Sequence, residues 1–301
     1  MISRRLLPLA ALVGLLVAGC SGAPGEETAR AATRSFTHAH GTTEIPARPA
    51  RIVVLEPVQL DSTVALGAIP VGAAVLSEAA GVPAYLRPDA DAVETVGTVQ
   101  TPNLEKIAAL RPDLVIGTES RHADLYDRLS AIAPTVFMGN QADPWQDNVR
   151  FVGRALGREA DAEALLGEYT EQCGAVARRF GTEGRTAQLV RPRDGQLTLY
   201  GPESFAGSTL ECAGFTTPPR DWEDSISVDL SPELVLEARA DLVLVTAADP
   251  ANPNAVPPVM SDVRAQSFPN LHVVDQSFWI TGVGPRGGRA VLDDLSRILA
   301  G

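Results

Sequence analysis

The stretch Asn103–Thr118 reads NLEKIAALRPDLVIGT, and Ser231–Thr246 reads SPELVLEARADLVLVT. The two stretches align without a gap at an offset of 128 residues and are identical at six of sixteen positions. Each begins with a helical pattern and ends in an apolar run typical of a buried strand. Because the identities include polar positions such as Glu105 and Glu233, the repeat predicts two similar α/β lobes.

Strand and helix patterns alternate on both sides of each copy. Such alternation predicts mainly parallel sheets covered by helices, with ligands bound beyond the carboxyl ends of the strands. Around the first copy we predict strands at 51–55, 71–75, 113–117 and 135–138, and helices at 58–66, 103–110 and 125–132. Around the second we predict a hairpin of 186–190 with 196–200, strands at 241–246 and 271–275, and helices at 204–212, 232–238 and 287–299.

A segment without proline, 147–179, lies between the two copies of the repeat. Its apolar residues recur at helical spacing and predict one long helix, with an interruption near Gly157. The predicted domains are an N-terminal lobe at 36–145, a connecting helix at 146–182 and a C-terminal lobe at 183–301. A helical connection predicts that the lobes close little around a ligand.

The N-terminus has the pattern of an export signal. Arg4 and Arg5 precede an apolar run over 6–18, which is too short to span a bilayer. The run ends in Ala-Gly before Cys20 and resembles a bacterial lipoprotein signal. The resemblance implies a signal peptide at 1–19 and a lipid on Cys20 that anchors the chain to the extracytoplasmic face of the cell membrane. Residues 20–35 have the composition of a flexible tether.

Composition excludes several classes of protein. The formal charge of −12 argues against a nucleic-acid surface, which needs clustered positive charge. Three cysteines in 301 residues exclude a disulfide-framework protein. Cys173 and Cys212 are consistent either with a disulfide or with two buried thiols.

Several stretches resemble the class III substrate-binding proteins of ABC importers, in particular the ferric-siderophore and cobalamin branch. Together with the two copies of the repeat, they cover nearly all of the chain from residue 36 onward. Their order and spacing carry the resemblance: IPARPARIVV at 45–54, LGAIPVG at 66–72, YGPESFAGSTL at 200–210 and Pro285-Arg286.

The resemblance implies two Rossmann-like lobes joined by a long α-helix and no catalysis or resident cofactor. It implies a monomer that binds a ferric siderophore between the lobes and delivers it to an ABC permease dimer with its ATPase subunits. Glu105 and Glu233 take the positions of the glutamates that dock onto permease arginines. Both also lie in a first helical turn, where Asn103 and Ser231 could be N-caps, so helix capping is an alternative role.

Ligand-binding candidates are the aromatic and arginine residues of loops expected at the cleft. They are Tyr85, Arg121, Arg191, Tyr200, Trp222, Trp279 and Arg286. The polar sequence around Trp222 and Trp279 argues against simple core packing of their indoles. Some hydroxamate-binding relatives carry an arginine just before the Asn-Leu-Glu motif, where this chain has Val99 and Gln100. The ligand chemistry therefore stays open.

Three alternatives compete with this interpretation. A corrinoid or haem carrier uses the same fold. A metal-ion binder needs about three histidines with a carboxylate, and the four histidines of this chain form no tight pair on a helix. An exported enzyme would not need a matched pair of docking glutamates, and the chain lacks Gly-x-Ser-x-Gly and His-Glu-x-x-His.

Overall fold

A computed structural model describes residues 32–142, 144–222 and 225–301 of the chain. The predicted signal peptide at 1–19 and Cys20 lie outside the described residues. The strands are β1 Thr33–His38, β2 Gly41–Pro46, β3 Ile52–Val54, β4 Gly72–Val75, β5 Glu94–Thr98, β6 Leu114–Thr118, β7 Thr135–Met138, β8 Ala187–Arg193, β9 Gln196–Tyr200, β10 Ser227–Leu230, β11 Leu242–Ala247 and β12 Leu271–Asp275. The helices are α1 Pro57–Ala65, α2 Leu104–Ala109, α3 Glu119–His122, α4 Tyr126–Ser130, α5 Trp145–Leu156, α6 Glu159–Phe180, α7 Phe205–Cys212, α8 Pro258–Ser261, α9 Arg264–Ser267, α10 Gln276–Trp279 and α11 Pro285–Ala300, with 3₁₀ turns at Ala84–Leu86, Ala123–Leu125 and Pro232–Ala238.

The N-terminal lobe contains a five-stranded parallel sheet in the order β5-β4-β3-β6-β7. Its central strands are buried apolar runs, as expected for a sheet covered on both faces. The antiparallel hairpin β1–β2 forms a separate small sheet. The sequence did not predict this hairpin, and β1 begins at Thr33, inside the segment predicted as tether.

The C-terminal lobe contains a second five-stranded sheet in the order β10-β9-β8-β11-β12. Strands β8, β11 and β12 run parallel, whereas β9 pairs antiparallel with β8 and with β10. The β8–β9 hairpin turns at Asp194 and Gly195, as the Asp-Gly signal predicted. The sheet is therefore mixed. Its strands β8, β11 and β12 are parallel, like the strands of the first lobe.

The internal repeat has a structural reason. In the first lobe the Asp113 carboxylate accepts the backbone N–H groups of Ala50 and Arg51, just before β3. In the second lobe Asp241 accepts the N–H of Thr186, just before β8. The same aspartate thus aligns the first parallel strand of each lobe with its neighbour, which explains this identity between the two copies.

The connection between the lobes is two helices, so the prediction of one helix over 146–182 is corrected. Helix α5 ends at Gly157, which has a left-handed φ of 65°, and α6 restarts at Glu159. A side chain on Gly157 would place its Cβ 2.8 Å from the carbonyl oxygen of Ala47. The interruption noted near Gly157 is therefore a full break, where the chain approaches the segment before β3 too closely for any other residue.

Cys173 and Cys212 form a disulfide that joins α6 to α7, with Cα atoms 5.4 Å apart. This decides between the two alternatives that the sequence left open. A continuous cluster of buried apolar side chains extends from the N-terminal lobe through α5 and α6 into the C-terminal lobe, including Ile52, Trp145 and Leu189. The lobes consequently share part of one core. In the described residues, no helix is both long and apolar enough to cross a membrane.

Candidate functional site

A cavity of about 350 Å³ lies between the two lobes, at the carboxyl ends of their parallel strands. The N-terminal lobe contributes Leu76, which follows β4, and Tyr85. The C-terminal lobe contributes Arg191 on β8, Ala248 after β11 and Asp275 at the end of β12. This is where open α/β sheets bind ligands, and the volume lies in the range of small-molecule sites.

The walls of the cavity are mostly apolar. Arg191 and Asp275 are the charged residues among its sixteen lining residues. The Asp275 carboxylate accepts the N–H of Ser277, 2.8 Å away, and so caps α10. Arg191 donates from Nη1 to the Tyr200 hydroxyl at 3.5 Å and makes no ion pair with any residue that the structure describes. The Arg191 guanidinium is thus left with donors for a ligand.

A smaller cavity of about 80 Å³ is lined by Tyr200 together with Trp145, Ile226 and Trp279. Because Tyr200 contacts Arg191, this cavity adjoins the larger one. Ile226 is 36% exposed there, and Leu76 is 48% exposed in the larger cavity. Large apolar side chains left this open at a cleft favour contact with an apolar part of a ligand.

Arg121 lies at the carboxyl end of β6 and pairs with Glu56 at the carboxyl end of β3. Its Nε lies 2.8 Å from Oε1 of Glu56; the Arg121 side chain is 35% exposed and that of Glu56 only 4%. The Nε–H does not point at that oxygen, and Oε1 has no hydrogen-bond partner among the described residues. Burial raises the pKa of the Glu56 carboxyl to about 7, and the charge of Arg121 opposes this rise.

Tyr85 connects the cavity to the contact between the lobes. Its hydroxyl donates to Oδ2 of Asp61 at 3.1 Å, and Asp61 is fully buried in α1. Asp61 also accepts the backbone N–H groups of Arg286 and Gly287, at 2.9 and 2.8 Å, in the first turn of α11. The Asp61 carboxylate of the N-terminal lobe therefore bonds both Tyr85 in the cavity wall and the first turn of α11, the last helix of the C-terminal lobe.

The expectation that the polar sequence around Trp279 argues against core packing is wrong, because this side chain packs into the core. It is 1% exposed, and its indole N–H donates to Asp294 at 2.8 Å, although one side of the ring forms part of the smaller cavity. Trp222 is half-buried against the apolar cluster of the C-terminal lobe, beneath the guanidinium of Arg220. Polar neighbours in sequence did not exclude packing, because Trp279 contacts α11 and Trp222 packs against the apolar cluster of the C-terminal lobe.

Arg286 lines neither of the two cleft cavities. Its guanidinium pairs with Asp89 at 2.6 Å, and both side chains are nearly half exposed. The pair spans from the N-terminal lobe to the start of α11, beside Asp61. The structure thus brings Tyr85, Arg191 and Tyr200 together at the cleft, with Arg121 at the adjoining strand ends, and leaves Arg286 at the contact between the lobes.

Glu105 and Glu233 are both exposed in the first turns of corresponding segments. Asn103 caps α2 by accepting the N–H of Lys106, as expected. Ser231 makes no such cap. The Glu233 carboxylate accepts its own backbone N–H and, secondly, the Ser231 hydroxyl, and these hydrogen bonds lower the pKa of that carboxyl. Both carboxylates are available to a partner.

Sequence reasoning missed Glu56, Asp61, Leu76 and Asp275. A signal existed for Glu56 and Asp275, since each is an acidic residue placed directly after or at the end of an apolar strand run. No sequence pattern marks Asp61 as buried, because it lies in PVQLDSTVA, where polar residues occupy every side of the helix. Its burial follows from the packing of α1 between the two lobes.

The comparisons with known proteins agree with this architecture. The family model described as periplasmic binding protein matches residues 52–269. The chain belongs to the periplasmic binding protein family. Its relatives of known structure have the class III fold, so the predicted α/β architecture of two lobes joined by a helical segment is confirmed. The family is one of substrate-binding proteins.

Curated relatives in this family bind siderophores. The chain is 32% identical over 288 residues to the probable siderophore-binding lipoprotein YfiY of Bacillus subtilis, covering 89% of this chain and 88% of YfiY. It is 28% identical over 269 residues to the achromobactin-binding periplasmic protein of Dickeya dadantii, covering 83% and 86%. The structure of Staphylococcus aureus SirA complexed with staphyloferrin B superposes with a TM-score of 0.75 at 30% identity, covering 89% of this chain and 99% of SirA.

Proposed function

We propose that this protein is the lipid-anchored, extracytoplasmic binding component of an ABC importer, which captures a ferric siderophore between its lobes and delivers it to the permease. The observation that carries the proposal is the cavity between the strand ends of the two lobes, with Tyr85 and Arg191 on opposite walls. An aromatic face and a guanidinium suit a bulky chelate that exposes carbonyl or other oxygen atoms. The siderophores bound by the relatives support this ligand class.

The membrane anchor in this proposal is a lipid on Cys20, outside the described residues. Relatives named as lipoproteins support it. Delivery requires a permease dimer with its ATPase subunits, and two exposed carboxylates on corresponding segments of the two lobes suit a two-fold symmetric partner.

Tryptophan fluorescence tests the ligand class directly, because Trp145 and Trp279 line the smaller cavity beside Tyr200. The purified full-length protein is titrated with ferric hydroxamate, ferric catecholate, ferric citrate, haem and cobalamin, and with the iron-free chelators as controls. We expect saturable quenching by a ferric chelate at about micromolar concentration or lower. Saturation by haem or cobalamin without any response to iron chelates would overturn the siderophore assignment and keep the fold.

The docking role of the two glutamates predicts a separation between binding and transport. Replacing both residues, Glu105→Arg with Glu233→Arg, should leave ligand affinity within about twofold and reduce uptake into cells at least tenfold, because charge pairing sets the encounter and orientation at an interface. Uptake of radioactive iron and fluorescence titration are measured on the same variant.

A matched control reverses two other exposed glutamates, Glu44→Arg with Glu183→Arg, one in each lobe. It changes the net charge equally and should leave uptake unchanged. If the control variant lost uptake as severely, the effect would be one of overall charge. If the docking variant transported normally, helix capping would be the sole role of Glu105 and Glu233.

A further inference from the structure

We infer that Glu56 sets the charge selectivity of the cleft: by neutralising Arg121 it leaves Arg191 as the unpaired guanidinium, so that the site takes ferric chelates of low net charge over polyanionic ones. This inference rests on the proposed function and names a substrate class within it. Three observations support it: the pairing of the cleft arginines, the balance of charge on the cavity wall and the burial of Glu56.

The arginines near the cleft are not equivalent. Arg121 contacts the nearly buried Glu56 carboxylate at 2.8 Å, and Arg286 contacts Asp89 at 2.6 Å outside the cavity. Arg191 lines the cavity and bonds only the neutral hydroxyl of Tyr200 among the described residues. Hence one of these three guanidinium groups can offer a full positive charge to a ligand.

The wall of the cavity balances that charge. Asp275 is the acidic residue that lines it, opposite in charge to Arg191, and the remaining lining residues are apolar or uncharged. A chelate with several negative charges would lose its hydration in the cleft and meet only one unpaired cation. Apolar side chains such as Leu76 instead favour a chelate that carries little charge.

Glu56 is placed to control this balance through Arg121. Its side chain is 4% exposed, it lies two residues after β3, and β3 pairs with β6, whose carboxyl end leads to Arg121. Because the Nε–H of Arg121 is not aimed at Oε1, the Glu56 carboxylate acts on Arg121 through its charge more than through a directed hydrogen bond. Removing that charge would therefore free the Arg121 guanidinium while changing little of its position.

Two iron chelates of contrasting charge provide the test. Three hydroxamates cancel the charge of ferric iron, whereas three catecholates leave three negative charges. The full-length protein is titrated with ferric tris-hydroxamate and ferric tris-catecholate complexes at pH 8, where the Glu56 carboxyl, with a pKa of about 7, is ionised. We expect the hydroxamate complex to bind at least about tenfold more tightly.

The variant Glu56→Gln should raise affinity for the catecholate complex about tenfold and change affinity for the hydroxamate complex less than about twofold. The gain should shrink in high salt, since screening weakens partly exposed charge interactions. The control Asp89→Asn removes a carboxylate from Arg286 outside the cavity and should leave the ratio of the two affinities unchanged. Circular dichroism and thermal unfolding establish that both variants are folded.

The outcomes separate the inference from the proposed function. If the wild type prefers the tris-catecholate complex, or if Glu56→Gln leaves the ratio of affinities unchanged, the inference is wrong and siderophore binding stands. If neither iron chelate binds and haem or cobalamin does, the proposed function fails and the inference falls with it. If Glu56→Gln does not fold, Arg121→Gln replaces it and should weaken binding of the catecholate complex further; no change would overturn the inference.

Discussion

Replacing Asp61 with alanine should lower the free energy of unfolding by about 3–5 kcal/mol at neutral pH. The side chain is fully buried in α1 and accepts three hydrogen bonds, from the Tyr85 hydroxyl and from the N–H groups of Arg286 and Gly287. Alanine would leave these three donors without an acceptor and remove the cap of α11. Urea unfolding followed by circular dichroism measures the loss.

The backbone of Gly284 packs directly against the Asp61 carboxylate. Gly284 approaches Asp61 so closely that a Cβ there would lie 2.3 Å from Oδ1, and its φ of 143° already requires glycine. Asp89→Ala is the matched control, since its exposed pair with Arg286 also joins the N-terminal lobe to the start of α11. An exposed ion pair contributes about 1 kcal/mol or less. If the two variants lost equal stability, the buried carboxylate would not be the main tie between the lobes.

Asp61 also makes stability depend on pH. Burial raises the pKa of its carboxyl from the usual 3.8 to about 7, although the hydrogen bonds from Arg286, Gly287 and Tyr85 oppose this. Between these pH values the Asp61 carboxyl is protonated in the native state and ionised in the unfolded state. The proton therefore stabilises the native state fully below about pH 4, and this contribution to the free energy of unfolding is lost as the pH rises through 7. The variant Asp61→Asn does not titrate at this position.

The wild type should therefore gain stability relative to Asp61→Asn as the pH is lowered from 8 to 4.5. The full pKa shift corresponds to roughly 4 kcal/mol, of which about 3 kcal/mol falls between pH 4.5 and pH 8. Urea unfolding of both proteins at the two pH values measures it. A difference that stayed constant, or that grew toward pH 8, would contradict the prediction and indicate that the native state holds Asp61 ionised throughout.

Removing the disulfide with Cys173→Ser and Cys212→Ser should destabilise the protein by about 4 kcal/mol, the loop-closure contribution for cysteines 39 residues apart. The bond ties α6 to α7, and both helices belong to the core shared by the lobes. Ligand affinity should change little, because the cavity walls on α7 are Phe205 and Ala206, at the end of the helix away from Cys212.

A reducing agent gives the control for this variant. Reduction should lower the stability of the wild type to that of the double variant and leave the double variant unchanged. Urea unfolding with and without the reductant measures both. If the double variant unfolded within about 1 kcal/mol of the oxidised wild type, the bond would constrain the unfolded chain far less than its loop length implies.

The sequence alone determined the two-lobed α/β organisation and the place of the cleft. Parallel strands buried on both faces are apolar runs, and β7 and β12 match their predicted bounds. The repeat also located Asp113 and Asp241, Glu105 and Glu233 in equivalent positions. These features depend on local periodicity and on spacing, which a sequence displays directly.

The sequence failed where an element is stabilised by distant packing. The β1–β2 hairpin and the edge strands β5 and β10 are partly exposed, so they lack the apolar runs that mark central strands. The break at Gly157 follows from a close approach of Ala47, a contact between segments 110 residues apart in the chain. The polar residues next to Trp279 in the sequence likewise gave no indication that its indole is buried and donates to Asp294.

Tertiary structure alone decided which charged groups of the cleft are paired. The sequence presented Arg121, Arg191 and Arg286 as equivalent candidates, and only the fold assigned Glu56 to the first and Asp89 to the third. It likewise buried Asp61 in a helix whose sequence has no polar face. The charge and pKa of such groups depend on neighbours brought together by packing, and local sequence does not contain that information.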